Sequence, residues 1–266
     1  MTRPDDVLLA RDLGVWALGF VFAPSPRRLT PAAARGLVAA ARAPSAATGR
    51  VGRPLEDLSS RPQLPFAIGV FGDASAEEIA WIVAETDLDG VQLHGPAGPK
   101  GFEVRAAVGR RRRPLVIIQA VPVSVEGGDA AGLRAAVGAA REEADLVLLD
   151  TTAAGRFGGS GTSFPWRLAR DVGEGLPLLV AGGIGPGNVR KALSESGAWG
   201  VDVSSGVESS PGLKDAGLLR LLFDQVDVAR CSAPAGRGSG AAGGPEPGVA
   251  GGGRSDTDER QEGRHT

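Results

Sequence analysis

Apolar residues in this chain gather into short continuous runs, separated by longer stretches in which apolar and polar positions recur with helical period. The runs are VWALGFVF (15–22), PFAIGVF (65–71), GVQLH (90–94), LVIIQAVPV (115–123), LVLLDT (146–151), PLLVAGGI (177–184) and GVDVSSGV (200–207). None alternates strictly, which is how parallel strands covered on both faces read. Helix starts between them are marked by Pro4-Asp5-Asp6, by Thr30-Pro31, by Ser75 with Glu78 three residues on, by Pro186 and by Asp215. Repeated strand–helix units predict a parallel sheet with right-handed crossovers. The chain opens on a helix, so a closed eight-stranded barrel would lack its first strand, whereas an open doubly wound sheet accommodates seven. The pattern alone leaves both architectures open.

Two segments break the rhythm. Residues 43–62, APSAATGRVGRPLEDLSSRP, read as a surface loop insertion. Residues 231–266 are nearly free of large apolar side chains and rich in Gly, Pro and charge. Such a segment buries too little to offset its ordering entropy, so a disordered tail is predicted after a single domain spanning 1–230.

Composition narrows the function classes. The 266 residues carry 29 basic and 31 acidic side chains, a net charge of −2, which leaves no electrostatic footprint for nucleic acid or an anionic membrane. The run Arg110 to Arg113 reads as a solvated corner between helix and strand. Cys231 is the one cysteine, which excludes an intramolecular disulfide and a cysteine-built metal site. No apolar run reaches the ~18 residues of a membrane span, and the acids of MTRPDDVLLARDLG do not suit a signal peptide. A cytoplasmic enzyme is expected.

In either architecture functional residues belong at the C-terminal ends of the strands. The sixth and seventh ends, AGGIGPGN and SSGVESSPG, are both Gly-rich, as in barrels that bind phosphate with their last two loops. Gly182, Gly183, Ser205 and Gly206 would offer backbone N–H groups there without side-chain obstruction. Asp150 ends an apolar run, where a carboxylate is costly unless it is paired, caps the next turn or is used. Gly158, Gly159 and Gly161 suit a loop that closes over substrate. Arg27 or Arg28, beside two prolines, is placed to clamp a carboxylate. His94 lies at a strand end and reads equally well as a packing residue; with His265 in the tail, a Ser-His-Asp hydrolase or a multi-histidine metal site is poorly supported.

Taken together and in order, the stretches ALGFVFAPSPRRLTP, GVFGDASAEEIAWIVAETDLDGVQLHG, LLDTTAAGRFGGSGTSFPW, LLVAGGIGPGNV and GVDVSSGVESSPGLKD resemble the phosphoribosylanthranilate isomerases. The resemblance runs from about residue 2 to residue 226. It implies a (β/α)8 TIM barrel and an Amadori rearrangement in tryptophan biosynthesis. N-(5-phosphoribosyl)anthranilate, an aminoaldose, becomes the aminoketose 1-(2-carboxyphenylamino)-1-deoxyribulose 5-phosphate, with no metal and no organic cofactor. By the same resemblance Asp150 matches the general acid that opens the furanose ring, and Arg27 matches the arginine that engages the anthranilate carboxylate. This loop is one residue shorter than the family's, so Arg28 stands as the alternative. Gly182, Gly183, Ser205 and Gly206 match the phosphate-binding strand ends. The implied partner is a small phosphorylated substrate, with no nucleic acid and no membrane, for a monomer or homodimer.

The family's base is a cysteine on the first strand, in a motif Lys-x-Cys-Gly-x-Thr whose last two positions align with Met1 and Thr2. The expectation is that the strand and its cysteine lie upstream of Met1; the alternative is a real truncation, which would leave strand edges unpaired, and in either case these residues alone are expected to turn over weakly or not at all. Other readings are an indole-3-glycerol-phosphate synthase-like barrel, a bifunctional histidine/tryptophan isomerase and a catalytically inactive phosphate-ligand binding barrel. The first needs a strand-end lysine, and Lys100, Lys191 and Lys214 read as helical or loop.

Overall fold

Proline at the first turn and two acids beside it, Asp5 and Asp6, start α1 (Pro4–Asp12), where the exposed N–H groups favour negative charge. The computed structural model describes residues 1–44, 65–95, 98–111, 113–126, 129–153, 156–157, 163–173 and 177–232. Nearly all of the expected loop insertion, the cluster Gly158, Gly159 and Gly161, and the tail from residue 233 onward lie outside the described residues.

After β1 (Ala17–Val21) comes α2 (Pro31–Arg42), whose N-cap Thr30 accepts from the Ala33 N–H. Next are β2 (Phe66–Phe71), α3 (Ala76–Thr86), with Ser75 accepting from the Glu78 N–H, and β3 (Gly90–Leu93). Then follow α4 (Gly101–Val108), β4 (Val116–Ser124), α5 (Ala130–Glu143) capped by Asp129, and β5 (Leu146–Ala153). The second half continues with β6 (Arg156–Phe157), α6 (Arg167–Val172), β7 (Leu178–Val180), α7 (Val189–Ser196) and β8 (Gly200–Val201). A hairpin of β9 (Glu208–Ser210) and β10 (Leu213–Lys214) precedes α8 (Ala216–Ser232), which Asp215 caps by accepting from the Leu218 N–H at 2.8 Å.

The parallel sheet runs β1-β2-β3-β4-β5-β7-β8, with β6 folded back antiparallel onto β5. Strand order that follows chain order is barrel-like; a doubly wound sheet reverses direction at a switch point and does not. The alternative that the sequence pattern left open is thereby decided. Among the described residues β1 and β8 are the sheet edges, yet Trp16 and Trp199, just before them, meet edge to face with ring centroids 5.1 Å apart. The sheet has curled until the feet of its two edges touch.

Three apolar clusters follow from this curl. Inside lie Phe66, Ile68, Val116, Ile118, Ala120, Leu146, Leu148, Leu179 and Ala181, with Trp16, Ala17 and Trp199. Outside, one cluster joins the first strands to α1–α4 through Leu18, Phe20, Phe71, Val91 and Leu93. The other joins the later strands to α5–α8 through Val147, Leu149, Val180, Val189 and Leu222. Burial on both faces explains why the strands read as continuous apolar runs.

Acids fasten the lower rim. Asp89, just before β3, accepts from the Ala67 N–H at 2.9 Å and pairs with Arg42 at 3.2 Å; Asp145, just before β5, accepts from the Ile117 N–H at 2.7 Å and from Arg105 at 2.9 Å. The arginine run is more than a solvated corner, since Arg111 donates to Leu88 O at 2.9 Å and Arg113 lies 3.7 Å from Asp89.

Several boundaries differ from the sequence reading, and the run 177–184 is strand only over Leu178–Val180. The run 200–207 is strand only over Gly200–Val201 and then turns into a single 3-10 turn, Ser205–Val207. Helix α7 starts at Val189, because Asn188 first closes a turn, accepting from the Gly185 N–H at 2.8 Å and donating to Gly183 O at 2.9 Å. Helix α8 carries through Cys231 to Ser232, so the compact unit is Met1–Ser232.

Candidate active site

Strand alternation sorts the mouth of the curl. On β5 the inward positions of Leu146 and Leu148 are followed by Asp150, one step above the inner core, and on β3 Gln92 is followed by His94 on the same face. Beyond β8 comes Asp202, whose N–H donates to Val180 O at 2.9 Å. Asp202 interacts electrostatically with both Asp150 and His94, which places three strand ends at one mouth.

Asp150 is half-buried and its proton affinity is pushed up from 3.8 to about 7, first by burial and then by the Asp202 carboxylate, against a small opposing hydrogen bond from Thr151. A carboxyl that keeps its proton near neutral pH is a competent acid. His94 moves the other way: burial lowers it, and Asp202 only partly restores it. Its ring is therefore neutral at pH 7, in contact with the Gln92 amide. Reading His94 as a packing or hydrogen-bonding residue is consistent with that placement.

The sixth and seventh strand ends, predicted as a pair, do meet. Gly182 and Gly183 have φ of +89° and +63°, a region that glycine enters freely. A Cβ on Gly182 would stand 2.2 Å from Thr151 Oγ1, and one on Gly206 would stand 2.0 Å from Ile184 O. Side chains are excluded from both places, and the two loops touch backbone to backbone. Thr151 sits beneath them, 3% exposed, donating to Ala181 O at 3.2 Å and accepting from the Phe164 N–H at 3.3 Å, while Ser163 donates to Gly182 O at 3.0 Å. Ser205 and Gly206 form the 3-10 turn that follows.

Arg27 and Arg28 separate clearly. Arg28 is exposed and its backbone bridges Val21. Arg27 reaches across to Glu208, with Nε 2.9 Å from Oε1 and Nη2 2.5 Å from Oε2. Glu208 also accepts from Lys214 Nζ at 3.0 Å. Burial pushes the Glu208 carboxyl up, but the hydrogen bonds from Arg27 and Lys214 outweigh it and hold the group below the ordinary range.

Sequence reasoning missed Asp202, Gln92, Thr151, Glu208 and Lys214. Asp202 and Thr151 were legible in principle, as polar residues ending apolar runs. Glu208 and Lys214 were not, because a two-strand hairpin this short carries no period. Among the described residues no three His, Cys, Asp or Glu side chains converge as a metal site, and no helix is long and apolar enough to cross a membrane.

Residues 1–225 match the family described as N-(5'-phosphoribosyl)anthranilate (PRA) isomerase. Among curated proteins the chain is 34% identical over 223 residues to the N-(5'-phosphoribosyl)anthranilate isomerase of Desulforudis audaxviator, covering 83% of this chain and 91% of that protein. It is 38% identical over 217 residues to that of Roseiflexus castenholzii, covering 81% and 90%. Among solved structures it is similar to phosphoribosyl anthranilate isomerase from Thermotoga maritima, with TM-score 0.66 and 29% identity over 86% of this chain and 96% of that one. A phosphoribosyl anthranilate isomerase in complex with reduced 1-(o-carboxyphenylamino)-1-deoxyribulose 5-phosphate aligns with TM-score 0.63 at 28% identity, covering 86% and 95%.

Proposed function

The chain belongs to the N-(5'-phosphoribosyl)anthranilate isomerase family, and on that premise we propose how its strand ends share the work. The reaction is the Amadori rearrangement of N-(5'-phosphoribosyl)anthranilate in tryptophan biosynthesis. It needs an acid for the ring oxygen, a base for the C2' proton and a place for each of two anions.

Asp150 is the acid. The supporting observation is its raised proton affinity on the inner side of β5, opposite Asp202. Protonating the furanose oxygen opens the ring to a Schiff base, and loss of the C2' proton then gives the enolamine that rearranges to the aminoketose. Arg27 receives the anthranilate carboxylate, and the backbone N–H groups of Gly182, Gly183, Ser205 and Gly206 receive the phosphate. No described residue is given the role of base: Cys231 lies in α8 and not at a strand end. The family resemblance puts that role on a Lys-x-Cys-Gly strand. We place the enzyme in the cytoplasm, as a monomer or homodimer.

The test is turnover of N-(5'-phosphoribosyl)anthranilate, followed by the change in anthranilate fluorescence, for this chain and for the same chain with a Lys-x-Cys-Gly strand added ahead of Met1. The added strand is expected to raise the rate, and Asp150→Asn within it to lower the rate by ~10²- to 10⁴-fold. Undiminished turnover in the Asn variant would remove Asp150 from the mechanism.

A further inference from the structure

Arg27 is gripped by one carboxylate through two of its nitrogens. Nε donates to Glu208 Oε1 at 2.9 Å and to Oε2 at 3.1 Å, and Nη2 donates to Oε2 at 2.5 Å. Nη1 has no partner among the described residues. The Glu208 side chain is 3% exposed and that of Lys214 is 7% exposed. Lys214 Nζ donates both to Glu208 Oε1 at 3.0 Å and to Ser204 O at 2.8 Å.

A buried carboxylate between two cations keeps one geometry, because charge-assisted bonds from both sides fix its oxygens. An arginine held in this way has lost its rotamer freedom before any ligand arrives, a cost that binding then avoids. Because Glu208 is shared with Lys214, it does not fully neutralise Arg27. The same lysine fastens Ser204, the residue that leads into the Ser205-Gly206 turn. One carboxylate thus connects the arginine at the end of β1 to the loop at the end of β8.

We propose that Glu208 is a positioning residue that holds Arg27, and through Lys214 the Ser204–Gly206 loop, at a set separation, so that the site selects ligands bearing a carboxylate at one end and a phosphate at the other. This rests on the reading of Arg27 as the carboxylate-binding residue and goes beyond it by assigning what orients that residue. Glu208 itself touches no substrate. Because Lys214 keeps its own bond to Ser204 O, the loss of Glu208 falls mainly on ligands that carry the carboxylate.

The experiment is isothermal titration with reduced 1-(o-carboxyphenylamino)-1-deoxyribulose 5-phosphate and with its phenylamino counterpart, which lacks the carboxylate. The chains are the parent, Glu208→Gln, Arg27→Ala and the double variant. Expected are a loss of about tenfold for the carboxylated ligand in Glu208→Gln, less than about twofold for its counterpart, and no added loss when Arg27 is already alanine. Equal weakening of both ligands by Glu208→Gln, or no change in either, overturns the proposal. If Arg27→Ala weakens only the carboxylated ligand while Glu208→Gln is harmless, Glu208 loses its role and Arg27 keeps its own. If Arg27→Ala binds both ligands as the parent does, the reading of Arg27 fails and this proposal with it. Should Glu208→Gln not fold, Glu208→Asp, which withdraws the carboxylate by one methylene, is expected to show the same selective loss.

Discussion

Trp16 and Trp199 stand edge to face with ring centroids 5.1 Å apart, although they precede the two strands at opposite edges of the sheet. Trp16 also packs against Phe66 at 5.2 Å, which links the contact to the inner core. Among the described residues the pair closes the floor of the curl without ladder pairing between β1 and β8. Trp199→Ala is expected to lower stability by about 2 kcal/mol, less than a fully buried aromatic costs, because both rings are half-buried. Since the floor and the mouth lie at opposite strand ends, affinity for reduced 1-(o-carboxyphenylamino)-1-deoxyribulose 5-phosphate should stay within about twofold of the parent. Urea unfolding and titration check the two halves separately.

With Asp150 as the proposed acid, activity and stability are both expected to depend on pH. Its proton affinity in the fold, about 7, lies above the ordinary 3.8, so between these values the folded chain binds more protons than the unfolded one. Stability from this group therefore falls as pH rises from about 4 to about 7 and is level above that. Asp150→Asn removes the penalty: it should be more stable than the parent at pH 8 by on the order of 4 kcal/mol and show little gain at pH 4. The proposed acid role predicts the same direction, with an alkaline limb near pH 7 for the form that carries the added strand. Asp202→Asn should move that limb to lower pH, because it removes the second cause of the rise. A limb that stays in place would show that Asp202 does not act on Asp150.

Gly206 and Ile184 define the contact between the loops that follow β7 and β8. A methyl on Gly206 would have to share space with Ile184 O, at 2.0 Å, and with Gly185 Cα, at 3.0 Å, both backbone atoms. Gly206→Ala should destabilise the fold by about 1–3 kcal/mol, the range for overpacking. By the phosphate role proposed for these loops, it should also weaken inhibition by inorganic phosphate by at least about tenfold in the form that carries the added strand. Gly187→Ala, where a methyl meets nothing within 4 Å, is the control and should leave both measurements unchanged.

Much of this was legible in one sequence. The runs that became β1 to β5 were placed to within about two residues, because strands buried on both faces need continuous apolar side chains. The helix starts at Pro4, Pro31, Ser75 and Asp215 follow from local chemistry, as each places a proline or a capping side chain where the first N–H groups lack partners. The glycines at 182, 183 and 206 were legible as a pair of bare strand ends. Their reason was not, because the atoms that exclude a side chain, Thr151 Oγ1 and Ile184 O, belong to residues distant in the chain.

The sequence by itself determined the class of fold, the order of elements and the family, since these rest on periodicity, caps and motifs that a linear chain displays. Tertiary structure alone decided that Arg27 is gripped by Glu208 while Arg28 faces solvent, and that Asp150 shares its mouth with Asp202 and His94. Glu208 lies 181 residues from Arg27, and the Asp150 carboxyl owes its raised proton affinity first to burial and then to a charge from another strand. Burial and charge act through distance in space, which the curl sets and no local pattern encodes.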